Sequence, residues 1–379
     1  MTIVDPVLVA VSRTAADVPV DRAAARLLLA DHLACVAAGD GPPAGLDLAG
    51  RLALRSHRGD RDDIYWPARI HPGSLVWPAV LATAAPGGPL AEAATAGYEA
   101  AVAVASWLGA GHAARFHATA TSGHAGAAAA AAVCLAGGRD PDAIAAAVGL
   151  AMTTAGGVRQ TIWERGSAGA WHRAAAASAG VGAAYAAAWG VAPPRAVLTG
   201  PAGVAALLAG DPSAAPPGPV GALAATAIRP YPVNGFAQST VDALRALRRA
   251  VGPAVDAVEL AVSPLVARAC AGPDPWWDLA GIARRAWAAG DPFQLGAPEP
   301  HLTVTVREEE ERPVESVRAW PSGRLAEAVT VAAAPGGPGP ARAELAHRKW
   351  SAMGVDASLL WTVAGTGDVE SAIRAVGAG

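Results

Sequence analysis

The sequence predicts a mostly α-helical protein, with a large all-helical domain and a smaller α+β domain. Three observations carry that expectation. The 379 residues are 53% apolar and only 16% charged, well below the usual quarter. Much of the apolar share is alanine, which favours helix without adding bulk. Apolar residues recur at helical spacing over roughly the first 215 positions, and after the Pro/Gly-rich joint "GDPSAAPPGPVGA" the pattern changes to two-residue alternation.

The elements follow in order. "LLLADHLACVAA" carries apolar residues at helical spacing until "GDGPPAG" breaks it. Helical patterns recur over 74–85, 90–108, 123–136, 140–153 and 172–189, divided by "PGG", "GAG", "GGRDP" and "GVAPP". Beyond the joint, "VDAVELAVSP", "HLTVTVREEE", "VESVRAWPS" and "AEAVTVAAAP" alternate like strands, while "TVDALRALRRAVG" reads as an amphipathic helix. The run "REEEERP" at 307–313 reads as a solvated hairpin end, and 343–379 returns to helix. The expected division is 1–220 with 343–379 as the large helical domain, and 221–342 as the small one.

Composition excludes several classes. A net charge of −3 argues against a general affinity for nucleic acid or acidic membranes. Lys349 is the single lysine, so chemistry that needs an amine has almost no group to use. Cys35, Cys134 and Cys270 are odd in number and far apart, and read as reduced core residues of a cytoplasmic protein. The N-terminus lacks the basic segment of a signal peptide. The uncharged run 174–194 has the length of a membrane span, yet its Ala and Gly content and closing double proline fit a buried helix instead. Gly180-Val-Gly182 lacks the third glycine of a dinucleotide fingerprint, and no P-loop, paired cysteines or HExxH occurs. Neither a dinucleotide site nor a structural zinc site is expected.

Four stretches hold the candidate chemistry. In "DRDDIYWPARIHPGS", Asp60, Asp62 and Asp63 precede His71, and carboxylates beside an imidazole can work as an acid/base pair. "HPGS" then opens a helix whose free N–H groups favour an anion. On spacing alone, an exposed acidic loop before a helix start fits better. "RFHATATSGHAG" brings His117 and His124 among hydroxyls into a helix of small residues; each histidine alone reads as an ordinary core or surface residue. "RQTIWERGSAGAWHR" supplies Arg159, Trp163, Arg165, His172 and Arg173, arginines able to clamp a carboxylate or simply lie on the surface. "AIRPYPVNGFAQS" contributes Arg229, Tyr231, Asn234 and Gln238, which donate hydrogen bonds but are poor bases.

Taken in this order, the four stretches resemble the MmgE/PrpD family, which includes 2-methylcitrate dehydratase, cis-aconitate decarboxylase and iminodisuccinate epimerase. The resemblance rests on Asp60-Arg-Asp-Asp, His71-Pro-Gly, Gly97-Tyr-Glu and Phe116-His with its alanine run. Gly166-Ser with His172, "VLTGPAG" and Arg229-Pro-Tyr-Pro complete it. It covers the chain from about Leu27 to the C-terminus. It implies a helical domain capped by a small α+β lid domain with the site in the cleft between them, a homodimer, and no cofactor. It also implies acid/base or orienting roles for Asp60, His71 and His117. Substrate contacts are expected from Tyr65, Trp66, His124, Arg159, Trp163, His172, Arg229, Tyr231 and Asn234.

Departures from the family pattern narrow the chemistry. Ile64 and Tyr65 stand where the family has Thr and His. Gly169 and Arg229 replace lysines, Asn234 and Gln238 replace histidines, and Gly281 falls about where decarboxylase-like members carry a tyrosine. The segment before Asp60 is short, as if a helix were deleted. Arginine stays charged near neutral pH and cannot replace lysine as a proton donor, so cis-aconitate decarboxylation is not expected. The expected function is a cofactor-independent lyase or isomerase acting by proton abstraction next to a carbonyl or carboxylate of a small specialised metabolite. Its outcome would be dehydration, double-bond migration, epimerisation or cyclisation. The alternatives are a fold reused as a template for a pericyclic or spontaneous cyclisation, or a catalytically inactive binding partner.

Overall fold

The computed structural model describes residues 5–41, 45–57, 59–164, 167–208, 211, 213–272 and 277–377. Arg165 and Gly166, singled out above, lie outside them. The chain is mostly helical with one small mixed four-stranded sheet. It forms two compact units: Met1–Arg58, Asp62–Thr226 and Met353–Gly379 make the first, and Gly59–Arg61 with Ala227–Ala352 the second.

The first unit is built around the helix Ala118–Ala136, which is buried along almost its whole length, with its polar side chains Thr119, Thr121, Ser122 and His124 confined to the first two turns. Helices Gly73–Thr83, Leu90–Ala113, Pro141–Met152 and Ala168–Ala188 pack against it. Its small side chains set the spacing. A Cβ on Gly126 would lie 2.9 Å from the Gly97 carbonyl oxygen, and one on Gly97 would lie 2.8 Å from that of Gly126. The two helices therefore meet backbone to backbone. The run 174–194 lies largely in the Ala168–Ala188 helix, and among the described residues no helix is long and apolar enough to cross a membrane. Among the helices that the sequence pattern does not reveal are Pro6–Asp17 and Leu48–Ser56, each N-capped by an aspartate carboxylate, Asp5 and Asp47. The second occupies part of the segment that looked shortened.

The second unit holds strands β1 (Ala257–Val262), β2 (Thr303–Glu308), β3 (Val317–Pro321) and β4 (Val329–Val331), in the spatial order β2-β1-β3-β4. β1 runs parallel to β2 and antiparallel to β3, with Val258 opposite Val304 and Leu260 opposite Ala319. The parallel pair needs a crossover, which contains helices Pro264–Ala269 and Leu279–Ala288. Helix Gln238–Val251 packs on β3 and β4. The acidic run at 307–313 is not a hairpin end: β1 lies between β2 and β3, and Arg312 closes the connection on Glu309 and Ser316. Helix Arg342–Ala352 belongs to this unit, and the helices after Met353 to the first.

Candidate active site

In the first unit Asp62 is the hub of a polar cluster. It is buried, with Oδ1 3.1 Å from His57 Nδ1, and Oδ2 3.4 Å from Arg173 Nε and 3.9 Å from His71 Nδ1. Arg173 is buried too. Its Nε donates to Ser74 Oγ at 3.2 Å and its Nη1 to the Gly169 carbonyl at 3.1 Å. Ser74 in turn donates to the His71 carbonyl at 2.9 Å. Each charge thus has both a counter-charge and hydrogen bonds, as burial requires.

His71 Nδ1 lies 2.6 Å from the carbonyl oxygen of Asp63. A carbonyl only accepts, so the ring carries its proton on Nδ1 and, when neutral, its lone pair on Nε2. The Asp63 side chain anchors this turn. Its Oδ1 accepts from the Gly73 N–H at 3.0 Å and its Oδ2 from the Tyr98 hydroxyl at 2.5 Å. Burial is the largest influence and pushes its carboxyl up to about 7, against the Tyr98 hydrogen bond and with the help of the Asp62 charge. A Cβ on Gly73 would fall 2.4 Å from Asp63 Oδ2, so only glycine lets the carboxyl sit here.

The "GYE" triplet has three separate tasks. Gly97 permits the close helix contact, Tyr98 holds Asp63, and Glu99 accepts from the N–H groups of Val220, Gly221 and Ala222.

His117 is the N-cap residue of the Ala118–Ala136 helix. Its N–H donates to the Gly157 carbonyl at 2.8 Å, the Arg159 N–H to the Arg115 carbonyl at 3.1 Å, and Thr121 Oγ1 to the Gly156 carbonyl at 3.1 Å. This pairing seats His117 Nδ1 3.2 Å from His172 Nδ1. Burial first, then Arg173, His172, His57 and His71, holds His117 well below the ordinary imidazole range. His172 is lowered by burial and then by Arg173. His124 instead bonds its own helix, Nδ1 to the Ala120 carbonyl at 2.8 Å.

Close by in the chain, Arg159 is half-buried, with its guanidinium 5.3 Å from the ring centroid of Trp163, itself half exposed. Its pKa is lowered by burial and then by Arg69, which belongs to the turn that Tyr65 and Ile70 close by backbone pairing. Arg159 Nε and Trp66 Nε1 are buried without a hydrogen-bond partner. Tyr65 is buried, its hydroxyl raised by burial and then by Glu99.

The remaining residues lie in the second unit. Arg229 is buried and its Nη1 donates to Asp60 Oδ1 at 2.7 Å. Tyr231 packs on Phe293 with ring centroids 5.4 Å apart and donates to Asp242; burial, the largest cause, raises its hydroxyl. Gln238 bonds the N–H and carbonyl of Tyr231 and the carbonyl of Val233, pinning the loop. Asn234 Oδ1 accepts from Cys270 Sγ at 3.6 Å.

The structure therefore brings His71, His117 and His172 together and adds three residues. His57 had not been singled out. Asp62 was one of three aspartates that spacing could not rank, and Arg173 was one of several arginines. All six residues of this cluster lie within 49–216, the span that matches the family described as MmgE/PrpD N-terminal domain. No curated protein matches the chain. The Asp-Asp, His-Pro-Gly, Gly-Tyr-Glu and Phe-His motifs thus sit inside the matched span, and residues 49–216 are an MmgE/PrpD N-terminal domain by that match.

Proposed function

We propose that the protein is a cofactor-independent lyase or isomerase that removes a proton next to a carbonyl or carboxylate of a small metabolite. Family membership suggests a dehydratase or lyase-type enzyme. The observation that carries the finer reading is the cluster itself. Two histidines, His71 and His117, lie beside a buried Asp62–Arg173 ion pair, and His117 is held neutral by burial. A neutral imidazole is the basic form, and a lowered value keeps it basic at neutral and mildly acidic pH.

In this reading His117 or His71 takes the proton and Asp62 orients the imidazole. Arg173 and Arg159 stabilise the carboxylate or enolate that develops, as fixed cationic donors do in a water-poor site. Gly169 stands where the family has a lysine, and Arg173, one turn on, places a cation against its carbonyl. The unpartnered donors on Arg159 and Trp66 support substrate contacts there. Asp60 and Arg229 balance each other in the second unit, so the roles expected of them pass to Asp62 and Arg173. We further propose a homodimer, supported by an apolar, exposed stretch of the Ala168–Ala188 helix and its continuation: Trp171, Tyr185, Trp189 and Val191.

The test is deuterium incorporation from heavy water into α-hydroxy and β-carbonyl carboxylic acids, read by mass spectrometry. Wild type is expected to exchange a carbon-bound proton, and His117→Ala or His71→Ala to lower the rate by roughly 10²–10⁴-fold. Product formed at an unchanged rate in both variants would favour a template over a base.

A further inference from the structure

Simple space-filling does not account for the contact between His117 and His172. Two neutral imidazoles that meet Nδ1 to Nδ1 at 3.2 Å form a hydrogen bond only with opposite tautomers, one ring protonated on Nδ1 and the other on Nε2. The fold makes room for this arrangement. Gly157 adopts φ +123°, a conformation that strains any residue with a side chain. A Cβ there would lie 3.2 Å from His172 Nδ1 and 3.1 Å from the Ala120 Cβ. The same glycine accepts the His117 N–H through its carbonyl, so one residue positions both rings.

The two ends differ in access to water. His117 is 6% exposed, whereas His172 is half-buried. The charged and titratable groups acting on the pair are Arg173, His57 and His71. Asp62 lies against each of these three and balances the guanidinium. The pair therefore sits in surroundings with little net charge, where two neutral rings are favoured over an imidazolium.

We propose that His117 and His172 act as one proton relay, with a single Nδ1 proton shared between them, His117 meeting the substrate and His172 exchanging with water. This rests on the reading of His117 as the base. When His117 Nε2 takes a proton from a substrate carbon, the C–H electron pair stays on that carbon. The Nδ1 proton of His117 passes to His172 Nδ1, and His172 gives up its Nε2 proton to water. Both rings end neutral with their tautomers exchanged, and the reverse movement resets them. Neither ring has to carry a positive charge beside Arg173.

The first test is long-range ¹H–¹⁵N spectroscopy of the full chain with ¹⁵N-labelled histidine at pH 7, assigned with His117→Gln and His172→Gln. One ring of the pair is expected as the Nδ1–H tautomer and the other as Nε2–H. The same tautomer in both would overturn the proposal. The second test is solvent-deuterium exchange into the carboxylic acids named above. His172→Gln is expected to slow exchange roughly 10- to 100-fold, with KM little changed and partial recovery on adding imidazole. An undiminished rate in His172→Gln, with exchange lost in His117→Gln, would remove the relay and leave His117 as the base. A wild type that exchanges none of these acids would remove the base reading, and the relay with it.

Discussion

Asp63 shows how one buried group ties the site to the stability of the fold. Its carboxyl titrates at about 7 against 3.8 when exposed. The folded chain therefore holds this proton more tightly than the unfolded chain does. The contribution is fully present below pH 3.8 and is lost as the pH rises through 7. That span corresponds to on the order of 4 kcal/mol. His32 works in the opposite sense: burial lowers it from 6.5 to about 3, so its contribution is present above pH 6.5 and lost as the pH falls towards 3. Asp63→Asn keeps an acceptor for the Gly73 N–H and a polar partner for Tyr98. Between pH 4 and pH 6.5 the two groups oppose each other, so removing the Asp63 carboxyl is expected to make Tm rise more steeply with pH in the variant than in wild type, as read by calorimetry. The same dependence of Tm on pH in both proteins would assign the effect to another group. Which of Asp60, Asp62 and Asp63 turns into the cluster was not legible in the sequence, because adjacent residues on a loop have no fixed periodicity.

Close packing of glycine and alanine governs the helices of the first unit. A Cβ on Gly180 would lie 2.6 Å from the Ala127 Cβ and 2.8 Å from the Ala128 backbone nitrogen, and one on Gly126 would meet the Gly97 carbonyl. Backbone cannot yield as a side chain can. At Gly123 the nearest atoms are the methyl groups of Leu75, which can rotate away. Gly126→Ala and Gly180→Ala are therefore expected to lose roughly 1–3 kcal/mol in urea unfolding, despite about 1 kcal/mol gained in helix propensity. Gly123→Ala should lose less. Equal losses at all three positions would mean that backbone contact is not what sets the spacing. The helices over 74–85, 90–108, 140–153 and 172–189 were legible to within a few residues because Gly and Pro mark their ends. The helix at 48–56 was not, because its nine residues give too few turns for a clear period.

At the scale of the whole molecule, the exposed aromatic surface is the feature that calls for a partner. Trp171 and Trp189 are separated by five helical turns, so they share one face, and they are 52% and 87% exposed. In a homodimer sealed by this face, the double variant Trp171→Glu, Trp189→Arg is expected to raise the dimer dissociation constant at least about tenfold. Light scattering after size-exclusion chromatography reads this directly, and a monomeric wild type would overturn the dimer. The sequence by itself determined the mostly helical class, the change to strands after the Pro/Gly-rich joint, and the MmgE/PrpD likeness of residues 49–216, since periodicity, breakers and ordered motifs are local properties of a chain. Only the tertiary structure decided that Asp62 gathers His57, His71 and Arg173, and that His117 meets His172 beside Gly157. Those contacts join residues up to 111 positions apart, as in Asp62 and Arg173. No local pattern encodes such a distance; helix packing does.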